Sequence, residues 1–175
     1  MTARAALQAA PLAMGAALQA ARISLSFAPR DEDFAAIFLA LERETAPITG
    51  PCRIDPVALL LHDSAGAVTG GLWGRIVYNW LVIEMLVVPA HLRGTGIGTA
   101  LMRGAEQTAR ARACTGIQLT RLDFQAPAFY EQLGFITFGV QADVPPGHSC
   151  FHLLKRLDAL APPRAVAAPP MPEPF

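Results

Sequence analysis

Residues 91–102 read HLRGTGIGTALM, so Gly94, Gly96 and Gly98 alternate where an apolar, strand-like run ends and a helix-like run begins. The first N–H groups of a helix have no intrahelical acceptor and sit at the positive end of its dipole. Glycines at that point let a ligand press against bare backbone, and the guest that matches is a phosphate. Between His91 and Arg121 five arginines (Arg93, Arg103, Arg110, Arg112, Arg121) stand against Glu106 alone. They form either a solvated helix face or the bed of an anionic cofactor. Lys155 is the only lysine, so contacts to phosphate fall to arginine and backbone. A nucleoside-triphosphate loop, G-x-x-x-x-G-K-[ST], is excluded by the spacing and by the missing lysine. A dinucleotide fingerprint, G-x-G-x-x-G, breaks at its last position, where Thr99 stands, and belongs to an early strand–helix–strand unit rather than after three hairpin-like strands.

Other chemistry is sparse. Cys52, Cys114 and Cys150 are odd in number, widely spaced and without a C-x-x-C pair, which fits packing roles in a reducing compartment, the cytoplasm. His148 and His152 are four apart, but the first lies in a Pro-Pro-Gly turn and no ligand set is completed, so no metal is expected. Net formal charge is zero, which gives no case for nucleic acid or a membrane surface. No apolar run is long enough to cross a bilayer.

The elements that must position the glycines follow from periodicity. Residues 1–22 are an alanine-rich stretch read as a flexible leader, and residues 158–175 a proline-rich tail that cannot pair its backbone. Ile23, Leu25 and Phe27 alternate as in a half-buried strand. Asp31 caps a helix in which Phe34, Ile37, Phe38 and Leu41 form one buried face, and Thr45 to Pro56 is loop by composition. VALLLH, the turn DSAG and AVTGGLWGRIVYN make a hairpin, and WLVIEMLVV is a central strand closed by Pro89. Residues 96–112 are helical, with Ile97, Leu101, Ala105 and Ala109 as the buried stripe. GIQLTRL is a strand, APAFYEQL a short helix, and residues 135–140 and 150–154 two more strands. The order β-α-loop-β-β-β-α-β-α-β-β describes a mixed α/β sheet with flanking helices.

On these elements the glycine segment resembles motif A of the GNAT superfamily of N-acetyltransferases, [RQ]-x-x-G-x-[GA], met by Arg93, Gly96 and Gly98. Upstream lies EMLVVPAHLRGTGIG, and downstream DFQAPAFYEQLGF, residues 123–135, is similar to the family's NxxAxxFYxxxGF stretch. The likeness covers about residues 23–157, and the PPGH turn at 145–148 resembles one branch of the superfamily. It implies a twisted, mostly antiparallel sheet with one splayed strand pair, and acetyl-coenzyme A as the acyl donor. Backbone N–H groups of Gly94, Thr95, Gly96, Ile97, Gly98 and Thr99, with Arg93, would hold the pyrophosphate, while the pantetheine arm would pair like an added strand with Leu86, Val87 and Val88.

Acetyl transfer to an amine needs a base, a stabilised oxyanion and an acid for the leaving thiolate, because a free alkyl amine with pKa about 10.4 is mostly charged at neutral pH. Glu84, the lone carboxylate of WLVIEMLVV, is the candidate base, standing where the family carries E-x-L-x-V; the bland alternative is a salt-bridged glutamate. The resemblance implies that N–H groups of Val87 or Val88 meet the oxyanion and that Tyr130 donates a proton to the thiolate. Asp123 departs from the family's asparagine, a cofactor contact that Gln125 would take over. His148 would line the acceptor pocket or assist as a base. The expected function is N-acetylation of a primary amine of a small molecule or a peptide, with a homodimer as an open state. The rival is a non-catalytic acyl-coenzyme A-binding or sensor module.

Overall fold

The structure, a computed structural model, describes residues 23–158; the leader and nearly all of the tail lie outside them. Two compact units divide at Pro51. The first contributes helix α1, Asp31–Thr49. Asp31, Glu32 and Asp33 complement the positive end of α1, and the Asp33 carboxylate accepts the Arg30 N–H at 3.0 Å. Two expectations fail in this unit. Ile23, Leu25 and Phe27 form no strand and are exposed, because alternation yields a strand only where a partner takes up its backbone bonds. Helix α1 also runs beyond Thr45, through Pro47 to Thr49. The Thr45 and Thr49 hydroxyls donate to the carbonyls of Leu41 and Thr45, and a proline this near the helix end forfeits little. Phe34 and Phe38, two residues of the expected apolar face, stack at 6.1 Å.

The second unit is a six-stranded sheet in the order β1-β2-β3-β4-β6-β5. Its strands are β1 Ile54–His62, β2 Val68–Val77, β3 Trp80–Val87, β4 Gly116–Leu122, β5 Ile136–Ala142 and β6 Ser149–Arg156. Only β3 and β4 pair in parallel, joined by helix α2, Ile97–Ala111; the short helix α3, Pro127–Gln132, links β4 to β5. The expected stripe on α2 is real: Leu101, Ala105 and Ala109 are buried together with Met102, and Ile97 packs against them. They meet Leu72 and Ile76 of β2, Leu81 and Ile83 of β3, Ile117 and Leu119 of β4 and Leu153 of β6 in one core. Burying each large aliphatic side chain contributes about 1.5–3 kcal/mol. No helix among the described residues is long and apolar enough to cross a membrane.

Strand β3 is irregular in two respects, a bulge and an early end to its pairing with β4. Trp73 of β2 faces Met85 while Gly74 faces Ile83, which leaves Glu84 as an extra residue in the bulge. The bulge changes the phase of the strand: Leu81 and Ile83 are buried on the α2 face, and beyond it Leu86, not Met85, packs toward that core. Pairing of β3 with β4 covers only Trp80–Ile83 against Gly116–Leu119, so beyond Ile83 the two strands part. Gly74 holds the bulge from the other side, since a Cβ there would strike the Val82 carbonyl and lie 3.1 Å from the Ile83 Cα. Gly74→Ala is therefore expected to destabilise the protein by about 1–3 kcal/mol; an unchanged denaturant midpoint would refute that packing.

Candidate active site

The chain leaves β3 at Pro89, makes a 3-10 turn over Ala90–Leu92 and enters α2 through the glycines. Gly94 and Gly96 have φ of 76° and 89°, a left-handed region that costs an L-residue about 1–2 kcal/mol. Gly96 is the N-cap of α2 and offers no side-chain cap, so the first N–H groups of the helix stay available. Gly98 lies beside the Phe129 ring and Val88, where a Cβ would make ordinary contact at 3.4 Å and 3.7 Å. Thr95 Oγ1 donates to the Leu92 carbonyl at 2.7 Å, and Arg93 Nε donates to the Val88 carbonyl at 3.1 Å. The turn is thereby tied to the end of β3.

This turn forms one wall of a groove of about 940 Å³. Leu86, Val87 and Val88 line it from β3, Arg93, Gly94, Gly96, Gly98 and Thr99 from the turn, and Phe124, Gln125, Phe129 and Tyr130 from the segment after β4. Thr95, Ile97 and Asp123, which the sequence pattern groups with them, are not among its lining residues. Tyr130 is packed edge-on against Phe129 at 5.0 Å and Phe135 at 6.1 Å. Burial pushes its phenol above the ordinary value, with the Arg121 guanidinium opposing part of that rise. The hydroxyl stays protonated at neutral pH, as a proton donor must.

A second cavity, of about 360 Å³, is lined by Arg75, Val82, Glu84, Gln118, Thr120, Phe138 and His152, with Ile83 and Leu119. Register fixes the side of the sheet on which it lies. Arg75 pairs with Val82, Val82 with Gln118 and Thr120 with His152, so these side chains share the face opposite α2. The strands part immediately beyond Ile83 and Leu119, so Glu84 and Thr120 stand at the start of the gap and Leu86–Val88 lie further along it. Glu84 is ion-paired with Arg75, Nε to Oε1 2.9 Å, with its side chain 34% exposed. Sequence reasoning misses Arg75, Gln118, Thr120 and Phe138 and sees His152 only as half of a metal pair. The signal that places Arg75, its register opposite Val82, is set by the turn between Val77 and Trp80.

Asp123 and His148 meet each other instead of the groove. Asp123 Oδ1 lies 3.0 Å from His148 Nδ1, and Oδ2 accepts the Ser149 N–H at 3.0 Å. The Asp123 N–H returns the bond to the Ser149 carbonyl at 2.9 Å, and the Phe124 ring meets the imidazole edge-on at 5.1 Å. This staple fastens the 145–148 turn to the segment that lines the groove; His148 itself lines neither cavity. Beside it, Gln125 Oε1 accepts the Leu122 N–H at 2.8 Å while the residue lines the groove. The Ser149 N–H above all, then His148, holds the Asp123 carboxyl below its ordinary value. A depressed carboxyl stabilises the fold above its unfolded value, about 3.9, and that contribution is lost as pH falls through the lower folded value. The melting temperature of wild type should therefore exceed that of Asp123→Ala at pH 6 and converge toward it near pH 3; a gap independent of pH would contradict the staple.

Residues 21–135 match the Acetyltransferase (GNAT) family. A blasticidin-S acetyltransferase from Streptomyces morookaense is 40% identical over 112 residues, 63% of this chain and 82% of that protein. An acetyltransferase from Agrobacterium fabrum is 35% identical over 98 residues, 56% of this chain and 72% of its own. Among solved structures, an acetyltransferase from Agrobacterium tumefaciens superposes with a TM-score of 0.71 at 30% identity, covering 78% of this chain and 99% of that one.

Proposed function

The chain belongs to the GNAT acetyltransferase family, and from that premise we propose that it is an N-acetyltransferase that uses acetyl-coenzyme A to acylate a primary amine of a small molecule. The observation that carries the proposal is the gap between β3 and β4. Glu84, which lines one cavity, stands where the gap opens, and Leu86–Val88, which line the groove together with the glycine-rich helix start and Tyr130, lie further along it. The groove suits an acyl donor with a diphosphate and the cavity a basic acceptor.

The residues present fit such a donor. Backbone N–H groups from Gly94 to Thr99 would hold the diphosphate, each such interaction contributing about 0.3–1 kcal/mol when exposed. Arg93 commits Nε to Val88 and would offer its terminal nitrogens to the phosphates. On its β4 side, β3 has no partner strand beyond Ile83 among the described residues, so backbone from Leu86 to Val88 would pair with the amide-bearing arm. Gln125 rather than Asp123 would contact that arm, since Asp123 is engaged by His148 and Ser149. The bound donor supplies an activated thioester. Glu84 takes a proton from the ammonium, directly or through water, and frees the lone pair for attack on the acyl carbon. N–H groups of Val87 or Val88 meet the negative charge on the acyl oxygen. Tyr130 passes its proton to the departing sulfur. The volume of the Glu84 cavity, about 360 Å³, is in the range of small-molecule sites, about 300–1,000 Å³, and one relative is by its name an acetyltransferase of blasticidin-S.

Thiol release from acetyl-coenzyme A over a broad panel of amines, with coenzyme A affinity measured in parallel by calorimetry, tests this reading. Amine-dependent release with one N-acetyl product per thiol is expected. Tight coenzyme A binding with no turnover on any amine would favour a sensor module, and absence of both would remove the proposal.

A further inference from the structure

The Glu84 cavity holds charges of both signs, and the proposed chemistry uses only one of them. Arg75, on β2, binds Glu84 through Nε at 2.9 Å; among the described residues no other partner is seen for its guanidinium. Its side chain is 52% exposed, so its terminal nitrogens are accessible to a ligand in the cavity. A guanidinium presents its donors in a planar fork that matches a carboxylate with two parallel bonds.

The same cation opposes a simple amine. An ammonium group that approaches Glu84 also approaches Arg75, and the two positive charges repel at short range. An acceptor with an anion a few bonds from its amine turns that repulsion into attraction, because the ammonium faces Glu84 while the anion faces Arg75. The remaining polar wall, Gln118, Thr120 and His152, brings hydrogen-bonding groups without a fixed charge, and Phe138, 6.0 Å from the His152 ring, supplies the apolar side.

Resting on the N-acetyltransferase reading above, we propose that the acceptor is a zwitterion, a primary amine that also bears a carboxylate, and that Arg75 is the residue that selects it. Fixed Arg75 and Glu84 charges then match the two charges of the acceptor in one orientation, which also aims the amine toward the gap between β3 and β4. Arg75 acts by binding and takes no proton.

The test compares kcat/KM, expressed per neutral amine because amidation lowers the pKa of a nearby amine, for each amino acid against its own carboxamide, over α-amino acids, ω-amino acids and short peptides. Wild type is expected to prefer the carboxylate member of its best pair by about 10- to 100-fold, as hydrogen bonds to a charged group warrant, chiefly through KM. In Arg75→Gln that ratio should fall to about one whatever the absolute rate, and Arg75→Lys should keep part of it. Equal kcat/KM for acid and amide in wild type overturns the inference without any variant, as does a ratio that survives in Arg75→Gln. Acetylation of amines without carboxylate preference would sink this inference alone, whereas no acetylation of any amine would sink the proposed function with it.

Discussion

Tyr130→Phe should lower kcat by about 10²- to 10⁴-fold, the usual contribution of a positioned acid, and leave coenzyme A affinity near that of wild type. The substitution removes one oxygen from a ring already held edge-on by Phe129 and Phe135, so the groove keeps its shape. What it loses is the proton for the departing sulfur. Burial keeps the Tyr130 phenol protonated above its ordinary range, whereas a thiol ionises near pH 8.5. Above that pH the thiolate leaves without needing a proton, so the deficit of the variant should shrink as pH rises from 7 to 9. Steady-state rates across that interval decide the matter. A deficit independent of pH would assign Tyr130 to binding or packing instead.

Glu84→Gln should lower kcat/KM by about 10²-fold or more at neutral pH, with a different signature. The amide cannot take a proton, so the variant depends on the fraction of acceptor that is already neutral. For an amine with pKa about 10.4 that fraction grows tenfold per pH unit, and the rate of the variant should climb with it while wild type rises less steeply. The substitution also strands Arg75, whose Nε bonds the carboxylate. Glu84→Asp, which keeps the charge, separates the two effects: it should retain the ion pair and recover the fold's stability more fully than the rate. If Glu84→Gln and wild type gave parallel pH profiles, Glu84 would be a structural ion-pair partner only.

The features legible in sequence are those set by local chemistry. Gly94 and Gly96 do stand at the start of α2, in the positive-φ conformation that glycine adopts freely. A stripe at helical spacing does bury α2, and the strands from Val57 onward fall where turns and alternation place them, although β1 itself begins at Ile54, inside the expected loop. The failures are long-range. The alternation of Ile23, Leu25 and Phe27 says how a strand would face but not whether a neighbour accepts it. Thr45 to Pro56 reads as loop by composition, yet α1 continues through Pro47 to Thr49. Glu84 stands out in sequence as a lone carboxylate, but its pairing with Arg75 rests on cross-strand register, Arg75 lying opposite Val82 on the neighbouring strand. His148 and His152, neighbours in sequence, separate: β6 carries His152 to the Glu84 cavity, while Asp123 holds His148 at the turn. No local pattern encodes that partition, because it depends on which strands lie side by side.

The central claim is that the bare amides of residues 94–99 and the hydroxyl of Tyr130 serve the two ends of one acyl donor. A crystal structure of the protein with coenzyme A tests it most directly. Diphosphate oxygens are expected within hydrogen-bond distance of those amides, with the arm along Leu86–Val88 and the sulfur beside the Tyr130 hydroxyl. Coenzyme A bound with its diphosphate away from the glycine turn, or with its sulfur remote from Tyr130, would contradict the claim.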